Sequence, residues 1–595
     1  MIKIHNTPFI FIFLFLNIYL TVAQPTCFPG VSKAEISEGN VRATFMNQGD
    51  MFWDPAQSVS NFKWPKNAPT NTNLVFASAI WFGGIDKADN NNVIVSGQTY
   101  RASGGFRTYW PGPVTNGIAT PAKECRFWDQ HFKVTKQDLD QFFTLSLPTS
   151  PGLVPAGILR WPGKGNEILK SIALDSGYQN LSVFDQVLAP FIDVDGNGIY
   201  NPLIGDYPDL KNRLSMIWWV TNDNANNKSF PENTTLVPAG NLEFQMMAST
   251  YPVANGQNYL DNTIFIDAKV INKGTKTLDS CYIGFWTDFD IGNANDDFVE
   301  CNVQENLIIG LNADNDDEGP GGYGVNPPAI AFKAIDGPMA YPADGLDNNR
   351  NGFVDEPGEK IFMSCFKYYN IGTNPINGEP LRFNHYYNLL KGNLKNGSKT
   401  TYGGNGTSPV SSTNPATTFM FPGASDPLGY AMGGTPQNPI VKEPWTELSS
   451  SNIPGDRRSL MSAGPFQLLP GASFHYTLCN LIAFGGTILE NVNELSLISD
   501  SLDNYLPTIT ASDPLIKPKI SNFDIFPNPA KDKITVSSTL LIEKIRIMDL
   551  QGRFLVESTP LKNDATIDLA RFNSGLYLIS IKAGGKTEIT KMIKE

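Results

Sequence analysis

Histidine is nearly missing from this sequence: four in 595 residues, of which His5 lies in an apolar N-terminal leader. The other three, His131, His385 and His475, are far apart and sit among aromatic or strand-like neighbours ("DQHFKV", "FNHYYN", "SFHYTL"). That context reads as structural histidine rather than general base. No HExxH, GxSxG or Walker loop occurs, so the signatures of zinc peptidases, serine hydrolases and P-loop enzymes are lacking. Gly319, Gly321 and Gly324 match GxGxxG only formally, inside an acidic loop that would repel phosphate. Charge is scarce as well, at 17% of residues, and its balance of −13 argues against nucleic acid or an anionic membrane as partner. The six cysteines form no CxxC, which removes zinc-ribbon and thioredoxin chemistry. Beyond the leader there is no apolar run long enough to span a bilayer, so no membrane span is expected in the mature chain.

What is present points to an exported β protein. Lys3, the apolar stretch "FIFIFLFLNIYL" (9–20) and the small residues Thr21-Val22-Ala23 predict a signal peptide over 1–23, cleaved near Ala23. In an exported chain an even cysteine count permits three disulfides, with Cys281–Cys301, which flank an acidic loop, as the first pair to expect. Glycine (52), proline (43) and 11% aromatics favour short strands joined by turns over long helices. "NTIFIDAKVINKGTKTLDSCYIGFWTDFD" (262–290) predicts a hairpin: Ile264, Ile266, Ala268 and Val270 alternate, Asn272-Lys273-Gly274 turns, and an aromatic strand returns. Helices are predicted at 136–143 and 489–506, and a long loop over 391–440. The fold class expected is mainly β and multi-domain: a β-sandwich region of two or more subdomains with Asp-rich calcium-type loops over 24–506, a proline-punctuated linker over 507–521, and a small sandwich over 522–595. Charge changes sign across that linker, since residues 522–595 hold 11 Lys and Arg against 9 Asp and Glu.

The last segment carries "FPNPAKDKITV", "IMDLQGR", "LARFNSGLYLISI" and the lysine-rich end "TKMIKE". Its alternating and doubly apolar runs predict an immunoglobulin-like sandwich of seven strands with no catalytic constellation. These blocks resemble the type A C-terminal sorting domain of cargo for the type IX secretion system. The resemblance implies an address read by the type IX translocon through residues 522–595, and a secreted or outer-surface protein. "GFWTDFDIGNANDDFVECN" and "DRRSLMSAGPFQLLPGASF" resemble segments of other secreted proteins of the same kind.

The chemistry that remains lies in acidic loops. "FIDVDGNGIYNP" (191–202) places Asp193, Asp195 and Asn197 at alternate positions with glycines between. Calcium loops of the EF-hand type take ligands at positions 1, 3, 5 and 7, the last through a backbone carbonyl, and close with a carboxylate. Asp193, Asp195, Asn197 and the Ile199 carbonyl fill those places, and Asp206 or Asp209 is left to close the site. "DGLDNNRNGFVDE" (344–356) repeats the pattern with Asp347, Asn349, Asn351, the Phe353 carbonyl and Asp355. Hard oxygen ligands without histidine or cysteine favour calcium. The clusters at 288–298 and 314–319 are less regular and read equally as turns.

The resulting expectation is a structural or adhesive protein whose loops are steadied by calcium, leaning to no catalysis, with surface glycan or other surface proteins as partners. A secreted hydrolase of polysaccharide or protein, using paired carboxylates, is the alternative from another class. A carbohydrate-binding surface protein is the third, with "FRTYWPG" (106–112) and "IWWV" (217–220) as candidate stacking aromatics.

Overall fold

The computed structural model describes residues 30–595 apart from position 90 and 101–107, 115–121, 225–227, 234–236, 254–256, 408–413, 436–437, 511–522, 549–553 and 584–585. The signal peptide, Cys27 and most of the linker lie outside the described residues. The chain divides into two units, Met1–Ala511 and Ser512–Glu595.

Three crossings organise the first unit. β1 (Phe265–Asn272) is followed by β2 (Leu278–Phe289), β3 (Ala329–Asp336) by β4 (Cys365–Asn370), and β5 (Arg457–Leu468) by β6 (Ser473–Ala483). In each pair the two strands belong to different sheets. The first sheet of nine strands contains Lys33–Ile36, Arg42–Met46, Asp50–Met51, Val75–Asp86, β2, β5 and β4 in spatial order. The second, also of nine, contains Phe132–Thr135, Ser215–Asn222, Leu242–Thr250, β1, β6, β3, Leu307–Asn312 and Asp297–Asn302. The 262–290 segment is therefore no hairpin. β2 pairs with Val75–Asp86 and β5, whereas β1 pairs with Leu242–Thr250 and β6. The turn at Asn272-Lys273-Gly274 carries the chain from one sheet to the other.

Alternation along the strands builds the layers. Cys281, Ile283, Phe285 and Phe289 of β2 point inward and meet Ile266, Ala268 and Val270 of β1 in one large core between the sheets. The outer face of the first sheet, with Trp81, Trp286 and Leu460, is covered by Tyr386, Tyr387 and Leu390 of the helix Phe383–Leu390. The outer face of the second sheet takes Leu495, Ile498 and Leu502 of the helix Ile488–Thr510. A further patch of that sheet, around Met216 and Trp218, is roofed by short helices and turns between Trp128 and Leu210. Among these is Lys136–Phe142, whose start is fixed by a capping box of Thr135 and Asp138. The predicted helices at 136–143 and 489–506 thus form, and each buries one stripe. Trp110, Trp218 and Trp219 are at most 2% exposed, so these aromatics fill cores and offer no platform for a sugar.

The expected Cys281–Cys301 disulfide is absent. Cys281 lies on β2 of the first sheet and Cys301 on Asp297–Asn302 of the second, and Cys281, Cys301, Cys365 and Cys479 are all free and buried. Cys301 donates instead to the Met420 carbonyl at 3.2 Å. Cys125, buried in the helix Ala122–Trp128, is disulfide-bonded.

The second unit has six described strands, against the seven expected. β7 (Lys533–Met548) is its spine: the first half pairs with Phe523–Phe526 and Lys562–Asp568, the second with Phe554–Ser558 and Gly575–Ala583. Ile545 and Ile547 are buried, while Lys544 and Arg546 turn outward to Glu557. Gly575–Ala583 is paired on both sides, as its apolar run requires.

Candidate metal loops

The first acidic loop leaves the roof of short helices between two strands of two residues each, Phe191–Ile192 and Tyr207–Pro208, which pair and clamp its base. The buried Tyr200 hydroxyl donates to the Ile158 carbonyl and anchors the middle. Within the loop, Asp193 Oδ1 accepts the Gly196 and Asn197 amides and Oδ2 accepts that of Gly198. Asp195 Oδ1 accepts from Asn197 N, and Asn197 Oδ1 from Ile199 N. Gly196 and Gly198 stand at φ +74° and +76°, a left-handed conformation that glycine adopts without strain. The result is a bend with its side-chain oxygens gathered inside.

Asp206 is the carboxylate that closes this group. One oxygen from each of Asp193, Asp195 and Asp206 lies within 4.8 Å of the others. Asp206 is wholly buried, and its oxygens accept the Val194 and Asn201 amides at 2.8 Å. Burial, with the like charges of Asp193 and Asp195 adding to it, raises its carboxyl above the ordinary range against the pull of those two bonds. Asp209 stands outside the group, and Ile199 has an exposed side chain beside its carbonyl.

The second loop repeats this wiring atom for atom at four positions. Asp347 Oδ1 accepts the Asn351 amide and Oδ2 that of Gly352; Asn349 Oδ1 accepts Asn351 N; Asn351 Oδ1 accepts Phe353 N. Asp347, Asn349, Asn351 and Phe353 thus correspond to Asp193, Asp195, Asn197 and Ile199. The loop is tied down from both sides. Tyr430 donates its hydroxyl to Asp347 at 3.0 Å, and Arg350 reaches inward to the Met363 carbonyl and Asn306.

At the closing position the sequence reading and the structure part. Asp355, at φ +58°, turns its carboxylate to the Gly345 amide. The residue placed like Asp206 is Glu359, buried, whose Oε1 accepts the amide of Asn348 just after Asp347, as Asp206 accepts that of Val194 just after Asp193. Glu356 Oε1 takes the side-chain amides of Asn349 and Asn351 at 2.6 Å. Spacing gives no sign of Glu359, because Asp206 and Glu359 follow Asp193 and Asp347 after different numbers of residues.

In the less regular clusters, backbone amides are taken up by two of the acids. Asp297 accepts the Ile291 amide, and Asp317 those of Asn293 and Tyr323. The histidines stand on separate elements. His131 packs its ring against Trp219 and is pushed by burial down to about 3. His385, on the helix Phe383–Leu390, is held down to about 4, first by burial. His475, on β6, pairs with Asp267 of β1 at 2.8 Å and is raised by that bond.

Comparison with known proteins places the second unit. Residues 524–595 match the family described as the secretion system C-terminal sorting domain. The segment is a type IX sorting domain, and the chain is accordingly a type IX secreted or cell-surface protein. No curated protein matches the chain. Among solved structures it is similar to a polysaccharide lyase at 7% identity and a TM-score of 0.17, over 61% of this chain and 36% of that one. It is also similar, at 11% identity and a TM-score of 0.12 over 64% of this chain and 43% of that one, to PorZ. PorZ is described as an essential bacterial surface component of the type-IX secretion system of Porphyromonas gingivalis. The chain spans less than half the length of either structure. Among the described residues no helix is long and apolar enough to cross a membrane.

Proposed function

We propose that the first unit is a calcium-stiffened β scaffold, delivered to the cell surface by its sorting domain and serving there in structure or adhesion, without chemistry of its own. The observation that carries this reading is the shared wiring of the two loops: Asp193, Asp195 and Asn197 against Asp347, Asn349 and Asn351, with a buried carboxylate, Asp206 or Glu359, accepting the amide just after the first aspartate of each. Crowded carboxylates repel unless a cation sits among them, and all-oxygen ligand sets suit calcium over softer metals. Extracellular modules hold calcium at about 10⁻⁴ to 10⁻³ M, where the ion supports a fold rather than a signal.

The test is thermal. Chelation with EDTA lowers the melting temperature of the secreted chain, and Asp193→Ala with Asp347→Ala abolishes the difference between chelated and calcium-loaded protein. An ion at a hundredfold excess over its dissociation constant stabilises by about 2.7 kcal/mol per site. A wild-type chain melting alike in both conditions removes calcium from the reading. For the absence of chemistry, a polysaccharide and protein hydrolysis screen decides: turnover that disappears on changing one carboxylate pair replaces the scaffold with a hydrolase.

A further inference from the structure

Among the described cysteines only Cys125 is in a disulfide, and its partner follows by subtraction. The sequence has six cysteines, of which Cys281, Cys301, Cys365 and Cys479 are free. Within the chain, Cys27 alone remains. Cys125 is 1% exposed, which keeps a second copy of the protein away from its sulfur.

Hydrogen bonds around Cys125 supply an independent reason. Asp129, one helical turn further on, donates its amide to the Cys125 carbonyl at 3.0 Å. The Asp129 carboxylate in turn accepts the amides of Val31 and Ser32, at 2.8 and 3.0 Å. The Ser32 hydroxyl also meets His131 Nδ1 at 2.9 Å. Residues 30–32 are thus moored beside the end of the helix Ala122–Trp128. Cys27 precedes Gly30 by three residues, which span at most about 10 Å. A disulfide joins Cα atoms roughly 4.4 to 6.8 Å apart, so that reach is ample.

We infer that Cys27 and Cys125 form a disulfide within the exported chain. The two thiols lose two protons and two electrons as their S–S bond forms. Both pass to an oxidising protein disulfide of the exported compartment, whose own S–S bond breaks to give two thiols. The bond encloses Lys33–Ile36, Arg42–Met46, Asp50–Met51 and Val75–Asp86 of the first sheet and ends in the helix whose Trp128 packs in the roof of the second. It therefore braces the two layers at the edge where Lys33–Ile36 ends the first sheet, and it owes nothing to the acidic loops. Such a crosslink stabilises chiefly by restricting the unfolded chain.

Peptide mapping of the secreted chain tests the pairing. The protein is unfolded without reductant, its free thiols are alkylated, and it is digested for mass spectrometry. One crosslinked pair is expected, carrying Cys27 and Cys125, which reductant separates with a gain of two hydrogens. Alkylated Cys27, Cys125 joined to any other cysteine, or a covalent dimer through Cys125 overturns the inference. In Cys27→Ser, Cys125 becomes open to alkylation, and the melting temperature falls to that of the reduced wild type and no longer responds to reductant. A variant that melts like oxidised wild type overturns the bracing role. If the variant does not accumulate, wild type melted with and without reductant decides that role in the same way.

Discussion

Glu359 and Asp355 show how two acids near the end of one loop can take opposite directions. Both are acids near the end of the second loop, yet Asp355 turns to Gly345 while Glu359 reaches the amide behind Asp347. Glu359→Gln keeps a side-chain oxygen for that amide and removes the charge. It is expected to cut the calcium-dependent rise in melting temperature severalfold and to leave the calcium-free value close to wild type. Asp355→Asn is expected to change neither, and an equal effect of the two substitutions would sink the assignment. The alternate acids were legible in the sequence because a period of two is a local property. The bond of Glu359 to the Asn348 amide was not, because it is set by where the chain returns in space. His475 gives a residue-scale prediction of another kind. Its bond to Asp267 raises its pKa above the ordinary 6.5, so the stabilisation is fully present below 6.5 and is lost as pH rises through the raised value. The imidazole side chain is 48% exposed, so solvent screening limits the effect to less than about 1 kcal/mol. Melting temperatures of wild type and His475→Gln should differ slightly in mild acid and converge at alkaline pH.

At the scale of elements, strands were easier to read than their partners. Ile266, Ala268 and Val270 do alternate into a core, and β1 and β2 form about where the pattern places them. A three-residue polar turn between two strands is compatible with a hairpin and with a step between sheets. Only the presence of other partners, β6 for β1 and β5 for β2, selects the step. The same step separates Cys281 from Cys301. Alkylation of the unfolded, unreduced chain followed by mass spectrometry should therefore label Cys281, Cys301, Cys365 and Cys479; a crosslinked peptide joining Cys281 and Cys301 would contradict this arrangement. Burial, rather than bonding, explains these thiols, and it raises the pKa of all four, which slows their oxidation.

For the whole molecule, the chain divides into two units, and each has its own core. Removing residues 524–595 is expected to leave the melting temperature of the first unit unchanged within about 1 °C and to abolish delivery to the cell surface, read by surface proteolysis of intact cells. Melting that shifts by several degrees would mean that the tail also supports the scaffold. Within the first unit, each sheet waits on the chain's later residues. β5 lies between β2 and β4, and β6 between β1 and β3. Until residues 457–483 have been synthesised, both halves of the sandwich lack a central member and expose unpaired edges. Folding is thus postponed until synthesis of this unit is nearly finished, and an interrupted polypeptide ending before Arg457 is an aggregation hazard rather than a smaller working protein.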